Sequence, residues 1–201
     1  MATEYNKEKL YDQQVHLYTE KNPNPNSMKF MLNFMLIHNS ENIDFPDAES
    51  AANSPLAVEL FKFPYVKRVF YMSNFITVTK DEETQWADII PELKQLIKDY
   101  FTAGKELFTE NQKEVIVESN DDSEAVKKIK GVLDEYIKPA VEMDGGAIQF
   151  HSFNEDKGIV KVLLQGACSG CPSSTITLKA GIENMLKRMI PTVKEVIAEG
   201  V

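Results

Sequence analysis

One loop constrains the fold of this chain more than any other feature, because it carries the only two cysteines, spaced C-x-x-C, in residues 163–175 (LLQGACSGCPSST). The run before it, residues 159–164, is apolar and rich in β-branched residues, which predicts a strand. Pro172 opens a segment of helical period, and proline is well tolerated at the first helical position. Cys168 and Cys171 are therefore predicted to lie in a tight strand-to-helix loop, with Cys171 near the helix N-cap.

The predicted loop suits the binding of a metal or another electron-rich group. A thiolate is the form of cysteine that binds metals and attacks electrophiles, and a helix N-terminus lowers the pKa of a thiol. Gly166 and Gly170 allow the backbone to pass close to a bulky ligand. The residues after Pro172 offer hydroxyl and amide donors to sulfur, as metal–thiolate sites require: Ser173, Ser174 and Thr175.

Length, charge and cysteine content restrict the class of protein. A chain of 201 residues can form one large domain or two small ones. The net charge of −9 argues against a nucleic-acid partner or an anionic membrane, and no apolar run has the length of a membrane span. The first residues lack the apolar core of a signal peptide and carry acids that a mitochondrial transit peptide avoids. Together with a single cysteine pair, which suits a reducing compartment, these features predict a cytoplasmic location.

The N-terminal half is predicted to form an antiparallel sheet covered by helices, in a domain spanning residues 8–105. Strands are expected at 15–19 and 28–37, and a hairpin at 66–71 and 75–79. Ser54 followed by Pro55 predicts a helix start. A second helix is predicted at 83–101, where apolar residues recur every three or four positions. The stretch 38–53 is predicted to be a polar loop.

The C-terminal half, residues 122–201, is predicted to form a helix–hairpin–helix (α-β-β-α) domain after a linker at 106–121. A helix starts near Ser123 and is expected to kink at Pro139. Strands at 147–153 and 159–164 form the hairpin, the cysteine loop follows, and a last helix ends before Pro191. Residues 193–198 form either an edge strand or a tail. The fold class is therefore α+β with two small domains.

The chain has too few cysteines to hold a metal centre alone. A zinc site or an iron–sulfur cluster usually needs four protein ligands, and one C-x-x-C supplies two. His16 and His38 fall in the other predicted domain, and the alternation around His151 indicates a surface or packed strand residue. Three readings stay open: dithiol–disulfide chemistry by one chain, a metal centre shared by two chains across a two-fold axis, or a structural zinc between two chains. The glycines and the hairpin favour a metal.

Two sets of motifs resemble a known family. Residues 143–146 (MDGG) and 164–179 (LQGACSGCPSSTITLK) are similar to the C-terminal domain of NifU-like (Nfu-type) iron–sulfur cluster scaffold and carrier proteins. This resemblance runs from about residue 123 to residue 196. The N-terminal half resembles the Nfu-type N-terminal domain through residues 24–26 with 29–30, 54–57 and 74–80.

The resemblance implies a function as well as a fold. It implies that Cys168 and Cys171 bind a [4Fe–4S] cluster shared between the two subunits of a homodimer. The cluster would arrive from an upstream donor and pass to apo iron–sulfur client proteins, so the protein would be a carrier and not an enzyme. Asp144, Gly145 and Gly146 match the family motif and are interpreted as the turn into the hairpin. The alternative is a thiol–disulfide oxidoreductase that uses Cys168 and Cys171.

Overall fold

The computed structural model describes residues 14–38, 41–109, 123–169 and 172–200, which form two compact units. Among these residues, the first unit contains 14–21, 25–38 and 41–109. The second contains 22–24, 123–169 and 172–200. No helix in the described part of the chain is long and apolar enough to cross a bilayer.

The first unit is built on a five-stranded antiparallel sheet with the order β1-β2-β5-β4-β3. Its strands are β1 (Leu17–Lys21), β2 (Ser27–Leu32), β3 (Asn42–Phe45), β4 (Val66–Met72) and β5 (Phe75–Lys80). Two helices, α1 (Pro55–Phe61) and α2 (Trp86–Thr102), pack their apolar residues into the core of this unit. The predicted hairpin is confirmed, with Met72 opposite Phe75.

Local capping explains where α1 begins. Ser54 has an extended backbone and its Oγ accepts a hydrogen bond from the Ala57 amide at 3.4 Å, while Pro55 occupies the first turn. A serine N-cap satisfies an amide that has no partner within the helix. The Ser54 hydroxyl also lies 3.1 Å from the buried Tyr71 hydroxyl, so the cap ties α1 to β4.

Two predictions for the first unit need correction. The stretch 38–53 is not only loop, because β3 forms there and pairs with β4. Asp44 of β3 makes an ion pair with Arg68 of β4, and both side chains are largely buried. β3 has only four residues, so the alternation of Ile43 and Phe45 with polar neighbours is too brief to distinguish it from a loop. In addition, β2 ends at Leu32 rather than at Ile37.

The second unit contains the predicted helix, hairpin and second helix. Its helices are α3 (Glu124–Val132), α4 (Lys138–Met143) and α5 (Pro172–Met189). Its strands are β6 (Gly146–Asn154), β7 (Ile159–Gly166) and β8 (Glu195–Gly200), in the order β6-β7-β8. β6 and β7 form the antiparallel hairpin, whereas β8 returns parallel to β7. The C-terminal segment is therefore an edge strand and not a tail.

A π-helical turn, Leu133–Ile137, joins α3 to α4. Pro139 follows it in the first turn of α4, and the Lys138 amide bonds to the Leu133 carbonyl, five residues back. Proline lacks an N–H and its ring clashes with the carbonyl four residues earlier. The wider π turn before Pro139 accommodates both the missing N–H and the bulk of the ring.

The predicted α+β class is confirmed. In the second unit, apolar residues from the described helices and strands pack in one core, which includes Ile129, Val160 and Ile182. The predicted domain limits of 8–105, 106–121 and 122–201 stay a prediction. Most of the predicted linker, with the expected strand at 115–117, lies outside the described residues.

Candidate functional site

The cysteine loop begins with a sharp turn at the end of β7. Gly166 has φ of +61°, a left-handed conformation that favours glycine. The turn is closed by the Ser169 amide, which donates to the Gly166 carbonyl at 3.2 Å, and by the Ala167 amide, which donates to the Gly145 carbonyl at 3.2 Å. α5 begins at Pro172, as predicted. Cys168 is thus held in a tight turn between a core strand and a helix.

Gly146 packs closely against the sulfur of Cys168. It lies opposite Gly166 in the β6–β7 register. A β-carbon on Gly146 would fall 2.6 Å from the Gln165 carbonyl oxygen and 2.9 Å from Cys168 Sγ, closer than real β-carbons come to other atoms. Glycine is therefore required here for close packing. The predicted role of the Asp144–Gly146 segment as the turn into the hairpin fits, because Gly145 ends α4 with φ of +80°.

Cys168 is buried but lies beside an open space. Its exposed fraction is 5%, and it packs with the core of the second unit. It also lines a cavity of about 370 Å³ within that unit. The other lining residues come from the turn after α4, the turn of Cys168 itself, α5 and the segment 22–24: Asp144, Ala167, Thr177, Leu178, Pro23 and Asn24. Cys171 and Gly170, the other predicted residues of the loop, lie outside the described residues.

Asn24 belongs to this site although the sequence analysis did not assign it there. Its side-chain amide donates to the Ala167 carbonyl at 2.8 Å, across 143 positions of sequence. The Asn-Pro repeat at residues 22–26 predicts a turn. No local pattern indicates which distant backbone group such a turn contacts, so spacing alone could not have found this bond.

The remaining candidate metal ligands do not assemble around Cys168. His16 and His38 are exposed in the first unit. His151 is exposed at a break in the β6–β7 register and lies 3.1 Å from the Ser152 hydroxyl, as expected for a surface strand residue. Among residues 14–38, 41–109, 123–169 and 172–200, no group of three or more His, Cys, Asp or Glu side chains could hold a metal ion. The described residues of one chain thus offer Cys168 and no complete metal site.

Two carboxyl groups of the second unit have shifted pKa values for different reasons. Burial raises the pKa of Glu142, in the last turn of α4, and the charge of Lys138 opposes this shift. The pKa of Glu183 is lowered by a hydrogen bond from Lys187 and then by the Val196 amide, which donates to its carboxylate at 2.9 Å. Glu183 therefore connects α5 to β8 and acts in the structure of the unit.

The chain is similar to named proteins over nearly all of its length. It is 42% identical over 189 residues to "NifU-like protein 4, mitochondrial" of Arabidopsis thaliana, and 41% identical over 188 residues to "NifU-like protein 5, mitochondrial" of the same plant. It is 42% identical over 181 residues to "NFU1 iron-sulfur cluster scaffold homolog, mitochondrial" of Drosophila grimshawi. These alignments cover 90 to 92% of the chain and 66%, 68% and 60% of the three relatives.

A solved structure is also similar. The solution structure of a NifU-like protein from Saccharomyces cerevisiae matches 50% of this chain and 90% of its own, with 24% identity and a TM-score of 0.45.

The prediction of a cytoplasmic location is wrong, because these plant and insect relatives are named as mitochondrial proteins. The prediction used the acidic residues among the first positions, which a transit peptide avoids, and the single cysteine pair. Thiols stay reduced in more than one compartment, so these properties do not distinguish the cytosol from other reducing compartments.

Two family models match the chain in consecutive segments. Residues 17–104 match "Scaffold protein Nfu/NifU N terminal", and residues 129–197 match "NifU-like domain". The second match contains β6, β7, the cysteine loop and α5, and thus the whole environment of Cys168 apart from residues 23 and 24. The matches agree with relatives that are more than 40% identical across both segments. The chain therefore belongs to the Nfu/NifU scaffold protein family.

Proposed function

We propose that this protein is an iron–sulfur cluster scaffold and carrier whose Cys168 and Cys171 bind a [4Fe–4S] cluster shared by two copies of the chain. Family membership supports the cluster as the cargo, and relatives carry "iron-sulfur cluster scaffold" in their names. The observation that carries the proposal is the position of Cys168, the first of only two cysteines, beside a cavity at the end of β7. That cavity provides space next to the sulfur for an inorganic group.

The number of thiolates supports a second copy of the chain as the missing half of the site. A [4Fe–4S] cluster is usually held by four cysteine thiolates, and this chain contains two cysteines. A two-fold axis brings the same surface of two copies together and doubles the number of ligands. Cys168 and Cys171 from each copy would complete the set.

Two exposed apolar side chains that are adjacent in sequence to cavity residues support a contact between copies near Cys168. Met143 precedes the cavity residue Asp144 and is 77% exposed, and Ile176 precedes Thr177 and is 74% exposed. Large apolar side chains with so much exposure gain free energy when a partner covers them. Contact between two such faces would bury Met143 and Ile176 while the four cysteines converge.

Release of the cluster requires ligand exchange and no redox step. A client thiolate forms a bond to iron as the bond from Cys168 or Cys171 to the same iron breaks. The proton lost by the client thiol passes through solvent to the departing cysteine thiolate, and the oxidation state of the cluster is unchanged. Four exchanges move the whole cluster. Each event is stoichiometric, so the protein acts as a carrier and not as an enzyme.

Anaerobic reconstitution with iron and sulfide tests this function. The parent should develop the broad visible absorption of an iron–sulfur cluster. Cys168→Ala and Cys171→Ala should lose it and dimerise more weakly while remaining folded, whereas Ser169→Ala, between the two cysteines, should keep it. A parent that stays colourless would contradict the proposal.

The alternative is a thiol–disulfide oxidoreductase that uses Cys168 and Cys171. In thiol–disulfide exchange a thiolate must reach a substrate disulfide, so access to the sulfur controls the rate. Cys168 is 5% exposed, so a substrate disulfide would have to reach it through the cavity beside it. Turnover of a disulfide substrate by metal-free protein would favour the oxidoreductase. Zinc in protein purified without air would instead favour the structural zinc site.

A further inference from the structure

The segment Asn22–Asn24 packs in the second unit, against the cysteine loop. Asn24 is 4% exposed. Its backbone amide donates to the Asn22 side-chain oxygen at 3.1 Å, so the segment is braced by a local Asx turn with Pro23 at its centre. A polar side chain as deeply buried as Asn24 must be matched to a specific partner.

That partner is the backbone immediately before Cys168. The Asn24 side-chain amide donates to the Ala167 carbonyl at 2.8 Å, and the Ala167 amide donates to the Gly145 carbonyl at 3.2 Å. Both the amide and the carbonyl of Ala167 are therefore hydrogen-bonded. Because the Ala167 carbonyl belongs to the peptide unit that leads into Cys168, the bond from Asn24 restricts the orientation of Cys168.

The same segment lines the cavity beside the sulfur. Pro23 and Asn24 share it with Cys168, Thr177 and Leu178. A molecule that occupies this cavity beside Cys168 would therefore lie next to Pro23 and Asn24 as well. Asn24 thus combines two properties, since it fixes the loop and it borders the space next to the sulfur.

We propose that Asn24 is a positioning residue for Cys168. Its side chain holds the cysteine loop through the Ala167 carbonyl and limits access to the sulfur. The biological role of Asn24 rests on the proposed function. If Cys168 binds the cluster, a Cys168 that is fixed in position and shielded would retain the cluster until a client protein docks. It places a contributor to the site outside the segment 129–197 that matches the NifU-like domain.

Thiol modification of the full-length, metal-free protein tests the assignment. In a Cys171→Ser background Cys168 is the only thiol, and its reaction with 5,5′-dithiobis(2-nitrobenzoate) is followed by absorbance. Asn24→Ala should raise the rate about tenfold, which corresponds to a loss of about 1.4 kcal/mol of protection. Asn24→Asp keeps the shape but its ionised side chain cannot donate to a carbonyl, so it should raise the rate similarly.

Asn33→Ala is the matched control. Asn33 also makes two side-chain hydrogen bonds, with the His16 amide and the Gln14 carbonyl, but it lies in the first unit. This variant should react at the parental rate, and circular dichroism should show all variants folded at the assay temperature. Parental rates in both Asn24 variants, or equal increases in all three variants, would overturn the inference. A parent that fails to bind iron would overturn the proposed function but leave this result intact.

Discussion

The sulfur of Cys168 lies against the α-carbon of Gly146, so that a β-carbon added at residue 146 would be 2.9 Å from Sγ and 2.6 Å from the Gln165 carbonyl oxygen. The carbonyl oxygen belongs to strand β7 and the sulfur to the turn that follows it, where hydrogen bonds from the Ala167 and Ser169 amides fix the backbone. We predict that Gly146→Ala displaces Cys168, lowers the free energy of unfolding by roughly 1–3 kcal/mol and reduces cluster loading. Urea unfolding and the visible absorption of the reconstituted variant measure the two effects.

Two helical glycines supply controls for Gly146→Ala. A β-carbon at Gly131 in α3 or at Gly181 in α5 would meet no atom within 4 Å. Alanine is favoured over glycine in a helix by about 1 kcal/mol, so both substitutions should stabilise the protein or leave it unchanged, with normal loading. If Gly146→Ala behaved like Gly181→Ala, the backbone of Gly146 would have no part in placing the sulfur.

Ile176 should contribute to the contact between two cluster-loaded copies. Ile176→Lys removes an apolar side chain that the proposed interface covers. Burial of such a side chain contributes about 1.5–3 kcal/mol to the free energy of association, so the dissociation constant of the loaded dimer should rise roughly tenfold to a hundredfold. Anaerobic sedimentation velocity measures the change.

Met189→Lys is the control on the same helix. Met189 is 47% exposed at the far end of α5, 13 residues and roughly 20 Å from Ile176. Its substitution should leave the dimer unchanged. Equal dimerisation by the Ile176 and Met189 variants would place the contact elsewhere and leave the cluster proposal standing.

Glu183 should make the second unit sensitive to acid. Its pKa in the folded protein is lowered from 4.5, first by Lys187 and then by the Val196 amide. The carboxylate therefore stabilises the fold above its unfolded pKa, and this contribution is lost as the pH falls through the lower, folded value. Thermal unfolding should show a difference in Tm between the parent and Glu183→Gln near pH 6 that shrinks towards about pH 3.

Glu195→Gln, at the start of β8, controls for the general loss of a negative charge. Glu195 is exposed. A pH-dependent difference of the same size in this variant would show that the effect does not come from the bonds of Glu183.

The buried contact between Ser54 and Tyr71 should couple the start of α1 to β4. Ser54→Ala removes the cap of Ala57 and a neighbour of the Tyr71 hydroxyl, and should cost about 1–3 kcal/mol of unfolding free energy. Burial also raises the pKa of Tyr71, so its hydroxyl stays neutral. In a double-mutant cycle, Ser54→Ala with Tyr71→Phe should cost less than the sum of the single changes. Strict additivity would mean that the two hydroxyl groups do not interact.

Features set by neighbouring residues could be predicted from the sequence. The start of α5 at Pro172, of α1 after Ser54 and of α3 near Ser123 are as predicted, because each depends on the preferences of a few adjacent residues. The hairpin β6–β7 and the left-handed Gly145 follow from the same kind of local information. These elements are enough to place Cys168 between a core strand and a helix.

The finer geometry of the site depends on contacts that no local pattern encodes. Asn24 reaches the Ala167 carbonyl from the other end of the chain, and the close packing of Gly146 on Cys168 appears only when β6 and β7 pair. The π turn before Pro139 is another such case, because a proline predicts a disturbed helix but not the manner in which the backbone absorbs it. Sequence analysis therefore identified the cysteine pair that we propose as cluster ligands, but not the contacts that Asn24 and Gly146 make with the turn of Cys168.

The most direct test of the shared cluster is the iron and sulfide content of anaerobically reconstituted protein, measured together with its mass by light scattering. We predict about four irons and four sulfides in a particle of two chains, which falls to monomers when a chelator removes the iron. A full cluster on a single chain, or a dimer that holds no iron, would contradict the account.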